Sequence, residues 1–254
     1  MLNNSTAEKL REMKLTIMAA ALQEHEHDKA VASLSFEERL GLMVDAEYTA
    51  RKNNRLKRLI RSAGFVYPEA CLEDVEYRAD RKLDKSLVTK LGTGNYIDAH
   101  RNIILMGAAG SGKSYLANAF GMAACRRLHM VKYIRLPDLL ADLSISRMDG
   151  SYRKLCKQYR KIELLILDEW LLYPLKDAEA RDLLELVEDR YRKASTIFCS
   201  QFDVGGWHSK IGQPTLADAI MDRIVHESYT IKIDGDDSMR KHKGLAAVGD
   251  MLGT

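Results

Sequence analysis

Gly107-Ala108-Ala109-Gly110-Ser111-Gly112-Lys113-Ser114 is the stretch on which the reading of this chain turns. Its spacing is G-x-x-x-x-G-K-[ST]. The glycines let successive backbone N–H groups curl around an anion, and a helix starting near Lys113 points its positive dipole end at the same place. Lys113 can reach the β- and γ-phosphates of a nucleotide, and the Ser114 hydroxyl can ligate magnesium. An apolar strand, Ile103-Ile104-Leu105-Met106, precedes the loop, and Tyr115-Leu116-Ala117-Asn118-Ala119-Phe120 continues it as an amphipathic helix. Strand, loop and helix in that order are the context the motif requires. The candidate ATP-binding residues are therefore Gly107, Ala108, Ala109, Gly110, Ser111, Gly112, Lys113, Ser114 and Tyr115.

Leu164-Leu165-Ile166-Leu167-Asp168-Glu169 supplies the second half of the site. An apolar strand ending in two acids puts both at the carboxyl edge of a sheet, where ligands bind in open α/β folds. Asp168 is expected to join Ser114 in holding magnesium, and Glu169 to polarise the attacking water as a general base. Strands are read at Asn102–Met106, Val131–Arg135, Leu164–Leu167, Thr196–Ser200 and Tyr229–Ile233, with helices at 113–128, 137–146, 151–160, 177–193 and 214–226. Strands alternating with helices predict an α/β fold: a five-stranded parallel sheet flanked by helices on both faces.

The first 65 residues read differently. Leu10, Met13, Ile17 and Ala21 recur at helical spacing, and Ser35-Phe36-Glu37-Glu38 is a capping box opening a long helix that Gly64 should stop. The expected organisation is a small all-α domain at 1–68, an ATPase domain at 69–245 and a tail at 246–254. Arg51, Lys52, Arg55, Lys57, Arg58 and Arg61 make a run of six basic residues with no acid between them. Arg153, Lys154 and Lys157 form a second cluster. Such runs are usually solvated helix faces, but they are also the electrostatic footprint of phosphate-backbone binding, so these nine are the candidate DNA contacts.

Composition narrows the classes. The chain has 254 residues, 46% hydrophobic and 30% charged, with a net charge of +3. These values fit a folded globular protein and are too mild to imply nucleic acid by themselves. No stretch approaches the roughly 20 apolar residues of a membrane span. Met1-Leu2-Asn3-Asn4-Ser5 lacks a basic-then-apolar signal, so a cytoplasmic location is expected. Cys71, Cys125, Cys156 and Cys199 are too scattered for a zinc site or a disulfide framework.

The phosphate loop, the Asp168-Glu169 strand, Thr196-Ile197-Phe198-Cys199-Ser200-Gln201 and Ala217-Asp218-Ala219-Ile220-Met221-Asp222-Arg223 resemble the AAA+ ATPases. Leu34-Ser35-Phe36-Glu37-Glu38-Arg39-Leu40, Asp149-Gly150-Ser151-Tyr152, Glu188-Asp189-Arg190-Tyr191 and Pro214-Thr215-Leu216-Ala217-Asp218-Ala219-Ile220 extend the resemblance, over nearly the whole chain, to IstB, the ATP-binding helper family of bacterial insertion sequences, related to the DnaC helicase loader. The resemblance implies that Ser200 or Gln201 senses the γ-phosphate, that Arg223 is a finger reaching a neighbouring subunit's ATP, and that Arg240 is a second sensor arginine. It also implies a homo-oligomer with ATP at its interfaces, double-stranded target DNA as a partner, and the transposase of the same insertion sequence as another. The alternative is a helicase loader gripping single-stranded DNA. A metabolic kinase fits poorly, since no inserted segment supplies an acceptor pocket. The sequence departs from the family where Trp170-Leu171-Leu172-Tyr173-Pro174 stands and many relatives carry a glycine. About fourteen residues follow Arg240, so little or no helical lid is expected.

Lys113→Ala should abolish ATP binding or turnover while leaving thermal unfolding unchanged within about 0.5 kcal/mol, because a loop lysine contributes little to the fold. Wild-type hydrolysis by this variant would show that the loop is not the nucleotide site.

Overall fold

The computed structural model describes residues 2–234. Arg240 and the C-terminal tail therefore lie outside the described residues. The chain divides into two compact units, Met1–Arg58 and Leu59–Thr254.

In the first unit, helices α1 (Leu2–Glu12), α2 (Thr16–His27) and α3 (Lys29–Ala32) precede α4 (Phe36–Ala63), which runs on past the division between units. The capping box at the start of α4 is present. Ser35 N–H donates to Glu38 at 2.8 Å, and Glu38 N–H donates to the Ser35 hydroxyl at 3.2 Å. Where a continuous helix was expected, the chain breaks at Lys14, whose φ is +61°. Glu47 of α4 then caps the restarted helix, accepting the Ile17 and Met18 N–H groups at 2.9 and 3.1 Å. Ala7, Leu10 and Ala19 form the small apolar centre between α1 and α2.

The second unit continues through α5 (Lys85–Gly92), α6 (Asn95–Asp98), β1 (Asn102–Gly107), α7 (Lys113–Arg126), β2 (Val131–Arg135), α8 (Leu136–Met148), α9 (Tyr152–Arg160), β3 (Leu164–Trp170), α10 (Asp177–Arg190), β4 (Ser195–Ser200), α11 (Val204–Ile211), α12 (Pro214–Val225) and β5 (Ser228–Ile233). The five strands pair in the order β2-β3-β4-β1-β5, and every pairing is parallel. All five expected strands are present, and the expected helices differ only at their ends. Helices α5, α6 and α11 were not expected: the first two are short, and Gly205-Gly206 near the start of α11 obscures its helical period.

Burial explains the strand sequences. Every residue of β4 is buried, and β1 and β3 are buried along almost their whole length, because helices cover both faces. The edge strands β2 and β5 are only partly buried and carry charged residues. At the amino edge of the sheet the buried Arg190 donates to the carbonyls of Tyr159 and Ile162, both at 2.8 Å, and to the Thr196 hydroxyl at 3.1 Å. Burial pulls its pKa down to about 9; carbonyl partners make this desolvated cation tolerable.

Helix α7 lies so near its neighbours that a Cβ on Gly121 would come within 2.5 Å of the Phe65 ring and 2.9 Å of Ile166. A helical Gly→Ala change ordinarily gains about 1 kcal/mol, whereas overpacking costs about 1–3 kcal/mol. Gly121→Ala should therefore lose stability, read as a lower urea midpoint. An equal or higher midpoint would show that Phe65 yields freely.

Candidate nucleotide site

Because the strands are parallel, their carboxyl ends share one edge, and the expected site residues gather there. Gly107 ends β1 and opens the loop. Its φ is +155°, and a Cβ would stand 2.4 Å from the Ile233 carbonyl oxygen and 2.9 Å from the Ser111 hydroxyl. Only glycine passes this point. Gly110 and Gly112 also hold positive φ, at +79° and +96°. Lys113 begins α7 and is 7% exposed; its ammonium donates to the carbonyls of Gly107 and Ala108 at 2.8 and 2.7 Å. The Ser111 hydroxyl is buried inside the loop without a hydrogen-bond partner. Positive-φ glycines, a buried ammonium and an orphaned hydroxyl at one helix N-terminus make a cradle suited to phosphate.

Strand β4 lies between β1 and β3, with Met106 paired to Ser200 and Trp170 also paired to Ser200. The two acids of β3 thus stand one strand away from the loop. Asp168 is 6% exposed. It accepts the Tyr133 hydroxyl at 2.6 Å and the Glu169 N–H at 2.8 Å. Burial, helped by that bond to the carboxylate, pushes the Tyr133 hydroxyl pKa well up, so Tyr133 remains a donor. Glu169 adopts a left-handed φ of +54°, a strain of about 1–3 kcal/mol for a non-glycine residue. Its carboxylate lies 3.6 Å from the Arg135 guanidinium, which also holds Asp138 through two bonds of 2.8 Å.

Of the two sensor candidates, Ser200 is fully engaged in its own turn. Its hydroxyl accepts the Trp207 indole N–H and the Phe202 N–H, both at 3.0 Å, and donates to the Phe202 carbonyl at 2.9 Å. Gln201 is exposed and lines a groove with Gly107, Ala108 and Lys232. Of the pair, Gln201 is the one that faces the groove beside the loop.

The segment at 65–81, which spans the boundary expected between residues 68 and 69, forms a wall of the site. Asn118 of α7, fully buried, donates to the Ser114 carbonyl at 2.6 Å and accepts the Val66 and Tyr67 N–H groups at 3.1 and 3.3 Å. Tyr67 packs against Tyr115 with ring centroids 6.0 Å apart. Arg81, 7% exposed, donates to the carbonyls of Glu76 at 2.7 Å and Ser111 at 2.8 Å. Between this strap and the loop lies a cleft of about 200 Å³, bounded by Tyr67, Val75, Arg81, Lys113, Ser114 and Tyr115. Tyr133, Asn118 and Arg81 carry no local spacing that marks them, because each reaches the site through a partner 30 or more residues away: Asp168, Val66 and Ser111 respectively.

The remaining candidates lie elsewhere. Arg223, near the end of α12, donates to the Ala219 carbonyl at 2.8 Å and pairs with Glu188. It borders a small cleft with Asn102 and Thr196, at the starts of β1 and β4, so it belongs to the opposite sheet edge from the loop. Arg51 clasps Glu47 at 2.7 Å and the Lys14 carbonyl at 2.6 Å within the first unit, which gives it a structural task. Lys52, Arg55, Lys57, Arg58 and Arg61 are exposed on α4, and Arg153, Lys154 and Lys157 are exposed on α9.

Comparison with known proteins shows the family. Residues 8–247 match the family of IstB-like ATP binding proteins. A putative insertion sequence ATP-binding protein of Sinorhizobium fredii is 43% identical, covering 96% of this chain and 99% of the relative. The putative ATP-binding protein of insertion sequence IS1162 from Pseudomonas fluorescens is 41% identical over 79% of this chain and 87% of its own. Among solved structures, a DnaC helicase loader aligns with TM-score 0.55 and 18% identity, over 66% of this chain and 98% of that one. DnaA from Aquifex aeolicus bound to AMPPCP aligns with TM-score 0.56 and 18% identity, over 75% of this chain and 58% of that one. At such identities the structures establish the fold alone, that of an AAA+ P-loop domain. With a phosphate cradle, paired acids and a family match along nearly its whole length, this chain belongs to the IstB-like ATP binding proteins of insertion sequences and is an ATPase.

Proposed function

We infer that the protein uses ATP to assemble on target DNA and to help the transposase of its own insertion sequence. The observation that carries this reading is the gathering of Gly107–Ser114, Asp168 and Glu169 on one sheet edge, in a chain whose relatives are named for insertion sequences. Lys113 and the loop amides hold the triphosphate. Glu169 takes a proton from water as the water oxygen attacks the γ-phosphorus and the bond to ADP breaks. Gln201 is placed to meet the γ-phosphate. Ser114 and Asp168 offer hard oxygen donors that fit magnesium. Among the described residues no group of three or more His, Cys, Asp or Glu forms an all-protein cage, and magnesium is ordinarily held by one or two carboxylates plus phosphates. When bound there, the ion neutralises phosphate charge.

The exposed basic residues of α4 and of α9 are proposed as DNA contacts, and ATP is proposed to sit at interfaces between copies. Arg223 supports the second point. Asn102 and Gly107 are five residues apart on β1, about 16 Å at strand spacing, so an arginine beside Asn102 is better placed for a neighbour's phosphates than for its own. Within the described residues no helix is long and apolar enough to cross a membrane.

Binding to duplex DNA should require ATP and weaken with salt at a log–log slope of about −0.9 per neutralised phosphate, and reversing Arg55, Lys57 and Arg58 to glutamate should flatten that slope. With the element's transposase and a target plasmid, ATP and this protein should raise strand transfer. Binding indifferent to salt and to the reversals removes α4 from the DNA surface, and strand transfer indifferent to the protein removes the transposition role.

Arg223→Ala and Lys113→Ala proteins should each be nearly inactive, since arginine fingers contribute roughly 10³–10⁵ in rate. Mixed, they should recover part of the activity, because some interfaces then join an intact loop to an intact Arg223. No recovery in mixtures shown to co-assemble would refute the arrangement in trans.

A further inference from the structure

At the tip of β3 the backbone takes a shape its residues do not favour. Glu169 and Leu171 have φ of +54° and +52°, and neither is glycine, asparagine or aspartate. Such conformations persist where the surroundings over-determine them. Between the two stands Trp170, with no exposed surface. Its ring lies 4.6 Å from Phe198 of β4 and 5.4 Å from Trp207 of α11, both in edge-on geometry. Its indole N–H has no hydrogen-bond partner, so packing alone holds it.

The register shows what this anchor does. Leu167 pairs with Phe198, and the next pair is Trp170 with Ser200. Three steps on β3 therefore match two on β4, and Asp168 and Glu169 occupy the resulting bulge. A bulge re-aims the side chains it carries. Trp207, the other wall of the aromatic cluster, donates to Ser200 at 3.0 Å and so also fixes the turn before Gln201. One buried cluster thus ties down the backbone beneath both the acids and the candidate γ-phosphate sensor.

We propose that Trp170 is a positioning residue for ATP hydrolysis: packed between Phe198 and Trp207, it locks Glu169 in its left-handed conformation and so aims the carboxylate at the attacking water. This rests on the reading of Glu169 as the general base. Trp170 touches no reacting atom; Trp207, not Trp170, bonds the turn at Gln201, and Trp170 acts through the adjoining Glu169.

The test is a double-mutant cycle with Trp170→Leu and Glu169→Gln, read as kcat and as the Kd of a fluorescent ATP analogue. Trp170→Leu should lower kcat by about 100-fold, the loss expected from misplacing a catalytic group by about 1 Å. The nucleotide Kd should stay within about threefold. Trp170→Phe, which keeps an aromatic ring in the cluster, should restore most of the rate. In the Glu169→Gln background, Trp170→Leu should change the residual turnover by less than about threefold, since a residue acting through Glu169 has nothing left to position. Should Trp170→Leu fail to melt cooperatively, Trp170→Met takes its place in the cycle. An undiminished kcat, a full additive loss in the Glu169→Gln background, or a parallel loss of nucleotide affinity overturns the proposal and leaves Glu169 as the base. Wild-type turnover by Glu169→Gln alone overturns the base assignment itself, and this inference with it.

Discussion

The structure depends on one constraint: all five strands run in the same direction. A parallel sheet needs a crossover after each strand, and right-handed helical crossovers cover both of its faces. Its carboxyl ends then lie along a single edge. The loop leaving β1, the acids ending β3 and the turn leaving β4 meet there, although they are separated by dozens of residues in the chain. The order β2-β3-β4-β1-β5 places the turn with Gln201 between the loop and the acids. Gly107 shows how closely the edge is built, since its missing Cβ is the space occupied by the Ile233 carbonyl of β5. The cradle is therefore shaped by the end of a strand more than a hundred residues downstream.

Charge is distributed along that edge with different degrees of support. Asp168 is buried and receives two donors, so its carboxylate is fixed before any ligand arrives. Glu169 is a third exposed and lies near Arg135, whose stronger bonds are to Asp138. One acid is rigid and the other is held mainly by its backbone. That division suits the roles proposed for them, a metal ligand beside a proton acceptor, because the first must not move and the second must meet water.

The strap at 65–81 gives the nucleotide cleft its second wall. Asn118 provides both halves of the link: its amide nitrogen holds the first turn of α7, and its oxygen takes two backbone N–H groups of the strap. Arg81 completes the closure from the other end by donating to the loop itself. Burial lowers the pKa of this guanidinium, and two backbone carbonyls are its hydrogen-bond partners. A cation so placed beside a cradle for polyphosphate adds to the field that Lys113 and the helix dipole already set up.

The sequence by itself determined the local parts of this protein. Strand, glycine loop and helix from Ile103 to Phe120, the strand-final acids, the capping box at Ser35 and the positions of all five strands are each written in a few adjacent residues, because backbone hydrogen bonding and side-chain periodicity are short-range. What only the tertiary structure decided are the relations between distant segments. Ser200 and Gln201 are equivalent polar strand ends in sequence, but the indole of Trp207, on a helix whose glycines hid it, claims Ser200 and leaves Gln201 facing the groove beside the loop. Arg51 and Lys52 read as one basic run and both are exposed, yet Arg51 is drawn to Glu47 and the Lys14 carbonyl. Tyr133, Asn118, Arg81 and Trp170 carry no motif at all. Their roles arise from which buried donors, acceptors and rings the packed sheet brings within reach, and packing partners leave no periodic trace in a single chain.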